Sequence, residues 1–270
     1  MIKVAVTGSS ELRERQTDYS AVNLFFMVLA RNRQHVERKI AELEEMGVPF
    51  LVVCGEKVNH PAVVYRAVRG KWDAINFGSS FIPKESRVIV LNDVDTRIHN
   101  FGYALNCLNG KVCLVYCKVN VSKGPQVKFY KILDPIRMRF HVAASGELML
   151  MKRDVFERVL VLPPCLAEDS FILFKVLELG YRAHFCAGAY VTTERTVNAD
   201  EEEAYKSRST LGIYQALKYA KPPPWIRVFY ILLPLISPLL ALAGEDGRAW
   251  VKGIRKAVKA NIMKDNPVKF

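Results

Sequence analysis

The stretch Arg87-Val88-Ile89-Val90-Leu91-Asn92-Asp93-Val94-Asp95-Thr96-Arg97 is an unbroken apolar run, rich in β-branched residues, that ends abruptly in two carboxylates. Such a run without alternation fits a strand buried on both faces, as in the interior of a parallel sheet. Its acids then stand where the strand leaves the sheet, and in open α/β sheets ligands bind in the crevice at that end. Two carboxylates one residue apart can serve a hard cation and the diphosphate it carries. A solvated strand end or an Asx-turn also accounts for a bare Asp-x-Asp, so the rest of the chain has to decide.

Half of the 270 residues are apolar, enough for a full core in one large domain or in a domain with an appendage. The net charge of +12 favours an anionic partner, with nucleic acid, an acidic membrane surface and phosphorylated substrates as the classes to separate. The first residues, Met1-Ile2-Lys3-Val4-Ala5-Val6-Thr7-Gly8-Ser9-Ser10, show no apolar core of a signal peptide, so the bulk of the chain is expected in the cytosol. Cys54, Cys107, Cys113, Cys117, Cys165 and Cys186 form no Cys-x-x-Cys and lie among apolar neighbours, so they read as reduced core residues. Cys113 and Cys117 would be about 13 Å apart on one strand, too far to share a metal.

Residues 1–22 read as an N-terminal arm or edge strand, since one glycine in Gly8-Ser9-Ser10 is far from a phosphate-loop fingerprint. From Asn23 the pattern becomes regular: a strand over 24–30, a polar turn Arg31-Asn32-Arg33, a helix over 34–45, and a strand over 50–54. In that helix Val36, Ile40, Leu43 and Met46 mark the buried face, with Arg38, Lys39, Glu42 and Glu44 facing out. A further helix is expected over 62–68, then the segment from Gly70 to Gly78, then the strand that delivers Asp93 and Asp95. Lys111 to Lys131 reads as strands separated by Gly124-Pro125, and Ala143 to Met151 as a turn and a strand. Pro163-Pro164-Cys165-Leu166-Ala167-Glu168-Asp169-Ser170 leads into a helix that stops at Gly180, followed by a strand over 181–186. Alternating β and α elements with short links predict an α/β fold, a mainly parallel mixed sheet with helices on both faces.

Glu168 and Asp169 form a second acidic pair, at a helix N-terminus. Acids there complement the helix dipole by roughly 0.3–1 kcal/mol, which explains them without any function. Both acidic pairs nonetheless fall at element ends facing one crevice, with Lys71 and Arg97 placed to meet an anion.

Taken together these segments resemble the family 2 glycosyltransferases, inverting nucleotide-sugar enzymes of the GT-A fold, a Rossmann-like α/β/α sandwich. Leu29-Ala30-Arg31-Asn32-Arg33 is similar to the end of the family's first strand, and Gly70-Lys71-Trp72-Asp73-Ala74-Ile75-Asn76 to its Gly-Lys-x-x-Ala-Leu-Asn segment. Asn92-Asp93-Val94-Asp95 resembles its Asp-x-Asp. Leu166-Ala167-Glu168-Asp169, followed by Leu179-Gly180-Tyr181-Arg182, resembles its Glu-Asp helix and Gly-Tyr-Arg exit. The resemblance covers about residues 23–190. It implies that Asp93 contacts the nucleoside or ribose, that Asp95, with Asp93 beside it, holds Mg²⁺ or Mn²⁺ on the sugar diphosphate, and that Asp169, next to Glu168, is the catalytic base. Ala30, Asn32, Lys71 and Asn76 would line the nucleotide-sugar site.

Two positions depart from the family. Its second strand often ends Asp-Asp-Gly-Ser, whereas here Val53-Cys54-Gly55-Glu56 leaves Glu56 as a displaced carboxylate for the base. The Gln-x-x-Arg-Trp of processive members is reduced to Tyr205-Lys206-Ser207-Arg208-Ser209, which keeps only Arg208 and predicts a non-processive enzyme. Arg208 and Lys206 can be read as a diphosphate clamp or as a solvated helix face.

Lys221-Pro222-Pro223-Pro224 is a stiff spacer that divides a catalytic domain, 23–220, from a C-terminal segment, 221–270. The apolar run over 225–243 carries Arg227, Pro234 and Pro238, so it reads as dipping into one leaflet, with a true span or a buried helix as the other possibilities. Over 247–264, Val251, Ile254, Val258 and Ile262 share one face opposite Arg248, Lys252, Arg255, Lys256 and Lys259, as in a basic helix on anionic lipid. The expected partners are therefore a nucleotide-diphosphate sugar, a lipid or glycolipid acceptor and a membrane surface contacted through 225–264. A nucleic acid is not expected, because no aromatic-basic motif of the usual modules is present. The expected location is the cytoplasmic face of the cell membrane, peripheral or monotopic. Competing readings are a non-catalytic nucleotide-sugar-binding scaffold at the membrane and a metal-dependent phosphoryl-transfer enzyme.

Overall fold

In the computed structural model, which describes residues 23–263, the chain runs β1 (Leu24–Ala30), α1 (Val36–Glu45), β2 (Phe50–Cys54), β3 (Val63–Tyr65), α2 (Lys71–Gly78), β4 (Val88–Asp93), β5 (Arg97–His99), α3 (Phe101–Cys107) and β6 (Val112–Val121). It continues through α4 (Gln126–Phe140), β7 (Leu148–Lys152), α5 (Arg153–Val159), α6 (Glu168–Glu178), β8 (Arg182–Thr193), α7 (Ala199–Tyr219), α8 (Pro224–Ile236) and α9 (Glu245–Met263). The arm assigned to residues 1–22 and the end of the last helix at Lys264 lie outside the described residues.

The strands form one mixed sheet in the order β3-β2-β1-β4-β7-β6-β8-β5. Parallel pairing joins β1 to β2 and β4, β2 to β3, and β6 to β8. β7 runs antiparallel between β4 and β6, and β5 antiparallel to β8. Every residue of β1 is buried, because its alternate side chains enter different layers. Phe25, Met27 and Leu29 pack with α2, α5 and α6, while Leu24, Phe26 and Val28 pack with α1 and α3. This two-sided burial is why the strand reads as a continuous apolar run.

Four expectations are corrected. The helix expected over 62–68 is instead the edge strand β3, as its β-branched Val63 and Val64 favour once β2 offers a parallel partner. Gly124-Pro125 does not turn one strand into another: Pro125 caps the N-terminus of α4, where its missing N–H costs nothing. Lys39 does not face out. It is fully buried and ion-paired with Glu42 at 2.6 Å.

The fourth concerns the apolar face of α9, which packs on protein, whereas α8 is buried on one face alone. α8 places Ile226 and Tyr230 in the same core as the sheet, and Tyr230 donates its hydroxyl to Val142 O at 2.9 Å. α9 packs along α7, burying Val251 and Ile254. The apolar face of α9 is thus covered by protein rather than left for lipid, with only its end, Ile262 and Met263, fully exposed. Amphipathicity specifies an apolar neighbour without specifying which. The six cysteines are free, and all but Cys107 are buried.

Candidate active site

Gly70 begins the site. Its φ of 128° lies in the region that side chains avoid, and an added Cβ would stand 2.7 Å from Trp72 Nε1, so only glycine fits at the start of α2. α2 is then fixed on two sides. Arg66 grips Asp73 with two 2.7 Å hydrogen bonds, holding that carboxyl below its usual range. Asn76 gives its Nδ2 to Leu162 O at 2.9 Å and takes Leu162 N at 2.8 Å. Asn76, read from the sequence as a nucleotide-site residue, is therefore committed through both amide atoms to bracing a loop.

So fixed, α2 directs Lys71 to Asp93, with Nζ 2.5 Å from Asp93 Oδ2 and 4.0 Å from Glu168 Oε1. Burial opposes charge on Lys71, but Asp93 and Glu168 outweigh it and raise its pKa. One ammonium thereby joins the two acidic pairs.

β4 delivers Asp93 at its last position, and the turn beyond it is closed by Thr96 Oγ1 donating to Asp93 O at 2.8 Å. Buried Asn92 donates to Glu147 O and to Thr96 Oγ1. From below, Lys39 reaches Thr96 Oγ1 at 3.5 Å while Glu42 accepts from Ile98 N at 2.7 Å, so α1 braces the Asp-x-Asp turn on both sides. Asp95 stands exposed in that turn.

α6 supplies the second pair. Glu168 is buried, and Asp169 accepts from Ser170 N at 2.6 Å. Burial pushes Glu168 up to about 8, with Asp169 and Asp93 adding to the shift and Lys71 opposing it. Burial raises Asp169 as well. The chain opposite approaches closely, and a Cβ on Gly146 would come within 3.1 Å of Asp169 Cβ, a tight contact.

Two charged residues that the sequence reading did not single out complete the site. Glu147, after Gly146, pairs with Arg195, which follows β8 and also donates Nη1 to Tyr205 OH at 2.6 Å. Burial opposes charge on Arg195, and Tyr205, Tyr130, Asp93 and Asp95 more than compensate. Lys206, read as a clamp or a solvated face, instead places its ammonium 4.0 Å from the Trp250 ring centre, toward α9. Arg208 stands exposed on α7. On the strands beside β4, Ala30 O accepts from Gly55 N, Asn32 Oδ1 from Gln34 N, and Glu56 Oε2 from Arg33 N. These three sit at the ends of β1 and β2, beside the strand that carries Asp93.

Asp93 and Asp95 offer an oxygen-only donor set of the kind that suits a hard divalent cation. Among the described residues no three His, Cys, Asp or Glu side chains converge on a self-sufficient metal site. A cation held here would complete its shell with phosphate oxygens and water, as Mg²⁺ commonly does.

No protein-family model matches the sequence, and no curated protein matches it. Solved structures do match in fold. A mannosyltransferase from Pyrobaculum calidifontis, in complex with GDP-mannose and Mn²⁺, superposes with a TM-score of 0.67 at 19% identity, covering 90% of this chain and 88% of that one. Glucosyl-3-phosphoglycerate synthase from Mycobacterium tuberculosis, in complex with Mn²⁺, UDP and glucosyl-3-phosphoglycerate, superposes with a TM-score of 0.51 at 14% identity, covering 81% and 88%. The chain has the GT-A fold of these nucleotide-sugar transferases.

Proposed function

We propose that the protein is an inverting, divalent-cation-dependent glycosyltransferase that moves a sugar from a nucleoside-diphosphate donor to a membrane-presented acceptor. The observation that carries this reading is the Lys71 bridge, which on a GT-A fold unites the Asp-x-Asp turn and the Glu168-Asp169 pair in one crevice. Asp95, with Asp93 beside it, would hold Mg²⁺ or Mn²⁺, and the fold neighbours solved with Mn²⁺ support the cation. When bound, the cation supplies a Lewis acid for the departing diphosphate.

The chain's own residues supply the rest. Lys71 adds fixed positive charge beside the diphosphate. Asp169, raised by burial, is suited to accept the proton of an incoming hydroxyl at its carboxylate, and attack from that side inverts the anomeric carbon. Buried Glu168, pushed up to about 8, is largely protonated near neutral pH and so limits the negative charge beside Asp169.

The membrane part of the reading rests on α8 and the 3₁₀ turn at Ser237–Ala243. Over 224–243 this stretch has a mean hydropathy of 2.1 with 17% of it buried, long and apolar enough by length and composition to cross a membrane. Its inner face carries Ile226 and Tyr230, and its outer face exposes Val228, Ile231, Leu235, Leu239 and Leu242. An interfacial seat satisfies both faces, with the exposed Arg248, Lys252, Arg255 and Lys259 of α9 attracted to anionic lipid on the cytoplasmic side. A lipid or glycolipid acceptor follows as the substrate class.

The test is turnover of a panel of GDP- and UDP-sugars with Mn²⁺ in lipid vesicles. Release of nucleoside diphosphate from one donor, abolished in Asp95→Ala, with an inverted product, supports the reading. Failure of every donor to bind sinks it.

A further inference from the structure

The register of β4 against β7 pairs Asn92 with Leu148, and its continuation sets Asp93 directly opposite Glu147. Asp93 N donates to Glu147 O at 3.3 Å, as that continuation requires. Like charges directly opposite each other on antiparallel strands destabilise a sheet. Here each acid has its own cation: Lys71 on Asp93 Oδ2, and Arg195 on Glu147 Oε1. The second oxygen of each, Asp93 Oδ1 and Glu147 Oε2, is buried without any hydrogen-bond partner. Buried carboxylate oxygens without donors are costly, and a matched pair of them in one site calls for a partner, whether water, an ion or a group on a ligand.

The chemistry of that partner follows from the charge balance. Asp93 lies at the cation site proposed above, whereas Glu147 already has a guanidinium on Oε1, so its open Oε2 needs a hydrogen-bond donor rather than a further positive charge. Hydroxyl groups are the donors a sugar nucleotide brings. Asp93 is the residue that the family resemblance assigns to the nucleoside or ribose. Nothing so far assigns Glu147. We infer that Glu147 is a specificity-determining residue that accepts a hydrogen bond from a hydroxyl of the transferred sugar through Oε2, with Arg195 positioning it through Oε1. This rests on the glycosyltransferase reading and adds a prediction that reading does not make. Donors keeping that hydroxyl are selected over deoxy donors, because the site otherwise holds an unpaired buried acceptor.

The experiment compares affinities of Glu147→Gln and wild type for the preferred sugar nucleotide, for the same nucleoside diphosphate without sugar, and for Mn²⁺ alone. Glu147→Gln is expected to weaken sugar-nucleotide binding about tenfold or more while leaving the sugar-free nucleotide and Mn²⁺ within about twofold. Glu147→Asp, which keeps the charge but withdraws the oxygen, should show the same split. Equal losses for nucleotide with and without sugar, an effect on Mn²⁺, or no loss at all would overturn the inference. If wild type binds GDP or UDP but no sugar nucleotide, the glycosyltransferase reading itself fails, a result distinct from any variant effect. Circular dichroism of both variants checks that each is folded.

Discussion

The Lys71 ammonium lies 2.5 Å from Asp93 Oδ2 and within 4.0 Å of Glu168, so a single cation offsets acids from two different elements. Replacing it by an uncharged side chain of similar length leaves Asp93 and the diphosphate without their shared counter-charge. Lys71→Met should lower kcat/KM for the donor at least about tenfold, and Lys71→Arg should recover part of it. Steady-state kinetics with soluble donor checks both.

Asp95 is exposed in its turn, and its removal should leave folding unchanged while abolishing cation-dependent turnover. Asp95→Ala is expected to melt within about 2 °C of wild type, as surface substitutions usually do. Thermal melting alongside a Mn²⁺ titration of activity separates the two effects.

Glu168 has a folded-state pKa of about 8, well above the ordinary value of 4.5. Between those values the folded state holds a proton that the unfolded state has lost. Its contribution to stability is therefore full below pH about 4.5 and is lost as pH rises through about 8. Glu168→Gln cannot lose this proton, so its melting temperature should fall less than that of the wild type between pH 5 and pH 9 in the absence of substrate. Parallel pH curves for the two proteins would count against the buried carboxyl.

Trp250 of α9 stacks on Phe129 of α4 with ring centres 4.0 Å apart and donates its indole N–H to buried Glu202. Trp250→Ala opens a cavity and leaves Glu202 short of a donor, which should cost about 3–5 kcal/mol. Urea denaturation midpoints measure it.

The outer face of α8 carries Ile231 and Leu235, 71% and 75% exposed. Ile231→Glu with Leu235→Glu should reduce cosedimentation with anionic vesicles at least about tenfold, while binding of a soluble donor stays within about twofold. Unchanged vesicle binding would remove the membrane from the proposal.

Much of this was legible in the chain because the information is local. β1 and β2 are apolar runs bounded by turn residues, and Lys71, Asp93 and Asp169 sit in motifs whose spacing survives without any tertiary knowledge. Glu147 and Arg195 meet only through the β4–β7 register and the path of the chain after β8, and neither position has a sequence signal of its own. Lys39 carried a misleading signal, since a lysine on a helix is ordinarily solvated and here a glutamate and a threonine from beyond the next strands receive it. The face of α9 was misassigned because α7 and a lipid surface demand the same pattern of side chains.

The seating of α8 bears on how the protein can be handled. Tyr230 is tied to Val142, and Trp225 donates to Phe140 O at 3.1 Å, so the helix is fastened to the stretch that leads into Gly146, against Asp169. Cutting the chain before Pro224 to gain solubility would strip Ile226 and Tyr230 from the core and loosen the wall of the crevice. A water-soluble version should instead keep the helix and recolour only its outward residues, leaving the inner face to hold the site in shape.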